Sequence, residues 1–217
     1  MADLPTTSER ILEASRRLFN ARGYASTSLA DIAAEVGISK GNLTYHFPTK
    51  YDLVVECIRR NRKQRREQFE LPRPASLVAE YVDIVRVAME QAREWRFLIR
   101  DRAQFQTGAA TRRADAAAAA EIEHLTWFLR QFQAKGMLRA SPGIDLEALA
   151  RSAWMVSRFW IDHLAQDEGL DDMTWEDQKR GMRHHFAVLM PALTAPARRE
   201  FESVLARLDL QHGIRAA

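Results

Sequence analysis

Apolar residues in the first part of the chain follow a helical period in four short groups. Within each group they recur three or four positions apart, which places them on one face of a helix. The groups are Ile11, Ala14, Leu18 and Phe19; then Leu29, Ile32, Ala33 and Val36; then Leu43 and Phe47; and finally Leu53, Val54, Cys57 and Ile58. This pattern predicts four helices.

Residues with known capping behaviour mark the ends of these helices. Gly23 and Gly37 follow the first two apolar groups, and each offers the left-handed residue on which a helix ends. At the starts, a capping residue stands three positions before an acidic one, so that each side chain can satisfy a backbone N–H of the other. The pairs are Thr6 with Glu9, Ser28 with Asp31, and Thr49 with Asp52.

The connection between the second and third helices is short. Only Gly37 and Ile38 separate the second helix from Ser39, which is a good N-cap for the third. Pro48 then ends the third helix, because proline cannot continue it. Two helices joined by a tight glycine turn are typical of a helix-turn-helix that reads DNA. We therefore predict a recognition helix from about Ser39 to Phe47.

This third helix presents mostly polar groups outside its apolar pair. They are a cation, an amide, hydroxyls, a phenol and an imidazole, all of which hydrogen-bond base edges and phosphates in a major groove. Gly41 costs the helix about 1 kcal/mol relative to alanine, and we interpret it as room for the close approach of another molecule. The alternative interpretation is a short polar helix that only faces solvent.

The charge of the chain is unevenly distributed. The net charge is +3, and the whole excess lies within residues 1–71, which hold 12 Lys and Arg against 9 Asp and Glu. Residues 72–217 hold 20 of each kind. Eight basic residues stand between Gly37 and Arg66, opposed only by Asp52 and Glu56. A local basic surface of this kind is expected where phosphates are neutralised, although such runs are often solvated helix faces.

The remaining two thirds of the chain show helical periodicity and no convincing strand alternation. We predict helices near 75–95, 96–107, 112–136, 145–168, 175–191 and 195–212. The predicted fold class is all-α. It has an N-terminal three-helix helix-turn-helix head over residues 1–50, a linking helix over 50–70, and a helical C-terminal domain over 71–217.

The segment TSLADIAAEVGISKGNLTYHFPTKYDL resembles the DNA-binding head of the tetracycline-repressor (TetR) family, and the resemblance extends from Ser8 to Ile58 without a gap. It implies that Lys40, Gly41 and Asn42 contact bases. The phosphate contacts that we carry over are Thr27, Ser28, Thr44, Tyr45, His46 and Lys50. Thr44 departs from the tyrosine of many members, and Ala30 departs from the base-reading arginine of some, so the operator sequence is not implied.

The resemblance also implies a ligand-binding and dimerisation function for the C-terminal domain. The helices near 145–168 and 175–191 take the place of those with which the family forms a dimeric four-helix bundle. Several aromatic residues are candidates to line an apolar cavity for an unknown small-molecule effector, although core packing explains most aromatics of a domain equally well. The candidates are Phe97, Phe105, Trp127, Phe128, Trp154 and Phe159.

Several other classes of function find no support in the residues. The chain has no CxxC, HExxH, G-x-S-x-G, Walker or dinucleotide motif, so we expect no catalytic residue, cofactor or metal. His184 and His185 are adjacent and point about 100° apart on a helix, which makes a poor metal pair. Cys57 fits an apolar helix face and is expected to be a core thiol. No apolar run would span a membrane and no signal peptide is recognisable, so we expect a cytoplasmic protein.

The sequence favours a dimeric transcriptional repressor that an apolar effector releases from double-stranded operator DNA. Three alternatives stay open at this point. The first is an activator of the same fold, and the second is a largely sequence-independent DNA-binding or architectural protein that relies on the basic stretch from Arg59 to Arg66. The third is an enzyme or carrier that uses the helical domain and retains the head as a relic.

Overall fold

The computed structural model describes residues 4–69, 76–105, 109–139, 143–169 and 174–213. Nearly all of them are helical and none belongs to a named strand; Leu138 and Leu193 form an isolated antiparallel bridge. The helices are α1 (Thr7–Arg22), α2 (Leu29–Val36), α3 (Lys40–His46), α4 (Lys50–Phe69), α5 (Leu77–Glu94), α6 (Phe97–Arg100), α7 (Arg102–Phe105), α8 (Ala109–Ala134), α9 (Leu146–Gln166), α10 (Trp175–Leu189) and α11 (Ala195–Gly213), with a 3₁₀ turn at Met190–Ala192. The predicted all-α fold is confirmed.

The predicted helix ends of the head are present. Thr6 and Ser28 each form a complete capping box. At Thr49 the side-chain hydroxyl accepts from the amide of Asp52, and the Asp52 carboxylate accepts from the amide of Thr49. Gly37 ends α2 in the left-handed conformation at φ 74°, a value that side chains with a Cβ avoid. The Ser39 hydroxyl then accepts from the amide of Asn42 and starts α3. The tight turn therefore results from the glycine and the two caps around it.

The chain divides into two compact units. The N-terminal unit comprises Met1–Leu71 and Gln91–Ala110, and the C-terminal unit comprises Pro72–Glu90 and Thr111–Ala217. The domain boundary near residue 71 stays a prediction; in this division residues 91–110 belong to the N-terminal unit. The reason is packing: Trp95, Phe97 and Phe105 are buried in the same core as the apolar faces of α1 to α4.

The segment predicted as one helix near 96–107 is interrupted. It forms two single turns, α6 and α7, which meet at Asp101. The Asp101 carboxylate accepts from the backbone amide of Tyr24 at 2.8 Å and from the guanidinium of Arg100. The bond to Tyr24 joins residues 77 positions apart in the chain, so local periodicity gave no sign of the break.

Aromatic side chains dominate the core of the C-terminal unit. The buried ring of Tyr81 lies among four phenylalanines, at centroid distances between 5.4 and 6.1 Å: Phe128, Phe132, Phe186 and Phe201. Helices α9 and α10 pack against each other, and Gly181 of α10 leaves room for the indole of Trp160. Among the described helices, none is both long and apolar enough to cross a membrane.

Candidate nucleic-acid interface

Helix α3 has one buried face and one exposed face. Leu43 is fully buried and Phe47, just after the helix, is nearly so. On the other side, Lys40, Gly41, Asn42 and His46 are exposed, together with Tyr45, which has 85% of its surface in solvent. The apolar spacing of the sequence therefore anchors the helix, and its polar side chains project away from the core.

Gly41 has no packing partner that explains it. A Cβ at this position would meet only the Ser39 hydroxyl, at 3.9 Å, which is an ordinary contact. Alanine would therefore fit here and would stabilise the helix by about 1 kcal/mol. Within the described part of the chain nothing requires a glycine at this position. The space above Gly41, between Lys40 and Asn42, is open to a molecule outside the chain.

The phosphate-contact candidates fall into two groups. Tyr45 and His46 are exposed, with their rings in edge-on contact at 5.5 Å. Ser28 is exposed, although its hydroxyl caps α2 and donates to Asp31, and the half-buried Thr44 donates to the carbonyl of Gly41. These four side chains lie at the surface, where a phosphate can reach them.

Thr27 and Lys50 have partners inside the unit. The Thr27 side chain is fully buried and its hydroxyl donates to the carbonyl of Gly23 at 2.8 Å, so it does not face a phosphate in this conformation. The Lys50 ammonium donates to the carbonyls of Tyr24 and Thr27 at 2.7 and 3.0 Å, and partial burial lowers its pKa. An ammonium carries three N–H groups, so one stays available.

The basic stretch on α4 is partly neutralised within the chain. Arg59 forms an ion pair with Glu56, and Lys63 forms one with Glu67. A helix rises about 1.5 Å per residue, so the twelve positions from Lys50 to Arg62 span about 18 Å along the axis. The basic stretch therefore lies well away from the first residue of α4. For contacts with DNA it is a weaker candidate than the exposed face of α3.

Cys57 has the predicted structural role. Its side chain is buried in the core of the N-terminal unit, and burial raises the pKa of its thiol to about 12. A thiol with so high a pKa carries almost no reactive thiolate near neutral pH.

The six candidate effector residues do not form one set. Phe97 and Phe105 belong to the core of the N-terminal unit, where they pack against Phe19 and Tyr24 at 5.1 and 5.4 Å. They are therefore core residues of the N-terminal unit, and their assignment to an effector cavity stays a prediction. An aromatic ring fills either kind of space, and the sequence did not show which.

The other four candidates lie in the C-terminal unit. Phe128 is buried beside Tyr81, whereas Trp127 and Phe159 are exposed on α8 and α9. Trp154 is half-buried and donates its indole N–H to Glu121. Its ring meets that of Phe159 edge-on at 6.2 Å.

His185 belongs to a buried polar cluster. Its Nδ1 lies 3.0 Å from the carbonyl of Ala153 and 2.6 Å from the hydroxyl of Ser157, while its Nε2 lies 2.9 Å from the hydroxyl of Tyr81. A carbonyl only accepts, so Nδ1 carries the proton and Nε2 accepts from Tyr81. The described residues contain no group of three metal-ligating side chains.

Sequence reasoning missed Tyr24, Asn20 and Asp101. Asn20 accepts from the amide of Phe97 and donates to the carbonyl of Glu94, and Asp101 holds the amide of Tyr24. These contacts join positions more than seventy residues apart in the chain, and no motif links them. Only the folded arrangement of α1, α6 and α7 could reveal them.

Comparisons with known proteins agree with the geometry of the head. Residues 11–57 match the sequence model of the bacterial regulatory proteins of the tetR family, and residues 61–201 match a second, described as a bacterial transcriptional repressor. The transcriptional repressor KstR of Rhodococcus jostii is 26% identical over 159 residues, which are 72% of this chain and 70% of KstR. The regulator LmrA of Bacillus subtilis is 41% identical over 61 residues, 28% of this chain, and the match covers 32% of LmrA's length.

Solved structures share the fold at low identity. A TetR-family regulator from Marinobacter aquaeolei superimposes with a TM-score of 0.78 at 21% identity, over 94% of this chain and 98% of that one. AibR, solved with isovaleryl coenzyme A and operator DNA, superimposes with a TM-score of 0.62 at 20% identity, over 83% and 96%. Together with the second sequence match, which covers more than half of the chain, these findings identify the protein as a member of the TetR family of bacterial transcriptional regulators.

Proposed function

We propose that this regulator is a dimeric repressor that reads its operator with α3 and is released by a small apolar effector. The observation that carries the first part is the exposed face of α3, where Gly41 stands between Lys40 and Asn42 without a packing reason. A cation and an amide beside an open glycine suit contacts with base edges in a major groove. Tyr45 and His46 are suited to hold the flanking phosphates.

A second copy of the chain is the partner that we propose for α9. Met155 and Phe159 lie one turn apart on this helix and each leaves about half of its surface in solvent, 46% and 50%. Large apolar side chains at helical spacing are suited to bury against a symmetry-related copy. One short helix reads few bases, whereas a dimer can read two half-sites of the operator.

The effector part of the proposal is supported by the aromatic core of the C-terminal unit and by ligand binding in a protein of the same fold. AibR was solved with both isovaleryl coenzyme A and operator DNA, so one protein of this fold holds a ligand and DNA. We propose that an apolar effector binds in the C-terminal unit and favours a state with lower DNA affinity. A coupling of about 1–3 kcal/mol between the two sites is sufficient for useful switching.

The test of DNA reading uses the fragment directly upstream of the protein's own coding sequence. At moderate salt we expect this fragment to be bound at least about a thousandfold more tightly than a scrambled duplex of the same length and composition. Equal affinity for the two would refute sequence-specific regulation and favour the architectural alternative. That alternative is weakened by the internal ion pairs of Arg59 and Lys63.

The test of the dimer uses light scattering on the free protein. The wild type is expected to have twice the mass of one chain, and Met155→Glu with Phe159→Glu is expected to shift it toward the monomer. Ala119→Glu with Ala120→Glu, at exposed positions of α8, serves as a charge-matched comparison. A monomeric wild type would refute the proposed dimer.

A further inference from the structure

Tyr24, in the loop between α1 and α2, is held from two sides. Its backbone N–H donates to Asp101 Oδ2 at 2.8 Å, and its carbonyl accepts from Lys50 Nζ at 2.7 Å. The Lys50 ammonium also lies 4.2 Å from the centre of the Tyr24 ring. The same ring contacts Phe19 and Phe105 at 5.5 and 5.4 Å. Amide, carbonyl and ring of one residue are thus held by α1, by the first residue of α4 and by the α6–α7 segment.

Asp101 is a buried carboxylate with a complete set of partners. Only 5% of the residue is exposed, and a buried charge is tolerated when it is paired and hydrogen-bonded. Its Oδ1 accepts from Arg100 Nε, and its Oδ2 accepts from Arg100 Nη2 and from the Tyr24 amide. Arg100 also donates to the carbonyls of Phe19 and Asn20, at the end of α1. One Asp–Arg pair therefore holds the last turn of α1 and the loop that follows it.

The held loop leads directly into the helix-turn-helix. Lys50 also donates a hydrogen bond to the carbonyl of Thr27, and the Thr27 hydroxyl donates one to the carbonyl of Gly23. The next residue is Ser28, the cap of α2, and α2 leads through the Gly37 turn to α3. The position of α2 and α3 relative to α1 therefore depends on this loop.

We infer that Asp101 and Lys50 are positioning residues for DNA recognition, which they support by fixing Tyr24 between them. Asp101 itself lies in the core and touches no DNA. Its contribution is made through the loop, which sets the orientation in which α2 and α3 reach the major groove. This inference rests on α3 as the DNA-reading helix and assigns Lys50 a role in addition to a phosphate contact.

The first experiment replaces Asp101 by Asn. The carboxylate accepts three hydrogen bonds through two oxygens, whereas an amide has one accepting oxygen, no charge and an NH2 group that cannot accept. The variant therefore loses the ion pair with Arg100 and at least one of these hydrogen bonds, at almost unchanged volume. We expect DNA affinity for the upstream fragment to fall by about 5- to 50-fold. The salt dependence of binding is expected to stay the same, because no phosphate contact is removed. In the DNA-free protein, hydrogen exchange of the Tyr24 amide is expected to accelerate while the central amides of α1 keep their protection.

Asp83→Asn is the matched control. Asp83 also pairs with an arginine three residues away, Arg86, but lies in the C-terminal unit and holds no loop of the head. It is expected to leave DNA affinity and Tyr24 exchange unchanged. Arg100→Lys weakens the same loop in a second way, since an ammonium has three N–H groups for the four hydrogen bonds that the guanidinium donates to Phe19, Asn20 and Asp101. An intermediate loss of affinity is expected.

A double-mutant cycle tests whether the two residues act through Tyr24. Lys50→Gln is expected to weaken DNA binding, and its combination with Asp101→Asn is expected to cost less than the product of the two single effects, because both act on one loop. Multiplicative losses would contradict the joint role. Asp101→Asn with DNA affinity within about twofold of the wild type and a protected Tyr24 amide would overturn the inference. If the wild type shows no sequence preference, the proposed function fails, whereas Tyr24 exchange in the free protein still decides whether Asp101 holds the loop.

Discussion

Each unit of the molecule has a glycine inside a helix, and the two glycines are there for different reasons. At Gly181 of α10, a Cβ would lie 2.3 Å from Met89 Cε and 2.4 Å from Trp160 Cδ1, so the core of the C-terminal unit excludes a side chain. At Gly41 of α3, the nearest atom is 3.9 Å away and alanine would fit. Packing within the protein explains the first glycine but not the second, for which we propose contact with DNA.

The same contrast extends to the polar groups of the two units. In the N-terminal unit, Lys40, Asn42 and Tyr45 are exposed on α3. In the C-terminal unit, Tyr81 and His185 bond to each other in the interior. The polar groups of α3 therefore face solvent, where we propose that DNA binds them, whereas Tyr81 and His185 pair with each other inside the C-terminal unit. The following predictions test this difference, from the largest expected effect to the smallest.

Acid is expected to destabilise the C-terminal unit through His185. Burial lowers the pKa of this imidazole to about 4, whereas the unfolded chain binds the proton near the ordinary value of about 6.5. Stability is therefore intact above pH 6.5 and declines as the pH falls toward 4, where the loss reaches about 3 kcal/mol. The groups that face the ring from neighbouring helices are Tyr81 of α5 and Ser157 of α9.

Tryptophan fluorescence during urea unfolding between pH 7 and pH 4.5 measures this slope, since four of the five tryptophans lie in the C-terminal unit. His185→Gln is expected to flatten the pH dependence, and His163→Gln, on the exposed side of α9, is expected to retain it. An equal slope in His185→Gln and the wild type would contradict the assignment.

Gly181→Ala is expected to lower the free energy of unfolding by about 2 kcal/mol. The added methyl group overlaps the Trp160 ring, which can move only by disturbing α9, and overpacking of this kind costs about 1–3 kcal/mol. The midpoint of urea unfolding, followed by the same fluorescence, provides the measurement. DNA affinity at a temperature where the variant stays folded is expected to be unchanged. An unaltered midpoint would show that the core of the C-terminal unit can accommodate a methyl group at this position without loss of stability.

Gly41→Ala is expected to act in the opposite sense. Because space is free, the substitution should raise the free energy of unfolding of the head by about 0.5–1 kcal/mol. DNA affinity should nevertheless fall, since the methyl group occupies the space in which we propose that DNA approaches the helix. Thermal unfolding and DNA titration of the same preparation provide both values. A variant that is more stable and binds DNA as tightly as the wild type would remove the distinction between the two glycines.

Tyr45→Phe is expected to have the smallest effect. Removal of the exposed hydroxyl deletes the phosphate hydrogen bond that we propose for it, which should weaken binding by about 1 kcal/mol or less. The loss should be similar for the upstream fragment and for a scrambled duplex, because a phosphate contact carries no sequence information. A changed preference between the two duplexes would instead assign Tyr45 to a base.

The head could be predicted from the sequence in unusual detail, for a physical reason. Its helix ends depend on caps such as Ser28 and Gly37, and its recognition face depends on the spacing of Leu43 and Phe47, all of which act within a few residues. Contacts of long range could not be predicted in the same way. One example is the hydrogen bond from Lys50 to the carbonyl of Tyr24, which no local sequence pattern indicates.

The aromatic residues show the limit most clearly. Phe97, Phe105, Phe128 and Phe159 have the same side chain, yet two complete the core of the head, one is buried in the C-terminal unit and one is exposed. Burial of a phenylalanine depends on which helices meet around it, and that depends on the whole fold. Composition could therefore predict an aromatic-rich domain but not the positions that would line a cavity.

The most direct test of the account compares the wild type with the double variant Lys40→Ala and Asn42→Ala in competitive binding to the upstream fragment and to a scrambled duplex. Each good base contact contributes about 1–3 kcal/mol of discrimination, so the variant should lose most of the preference for the upstream fragment. Its affinity for the scrambled duplex should change much less. Equal weakening on both duplexes would contradict base reading by α3 and leave a DNA-binding protein without sequence preference.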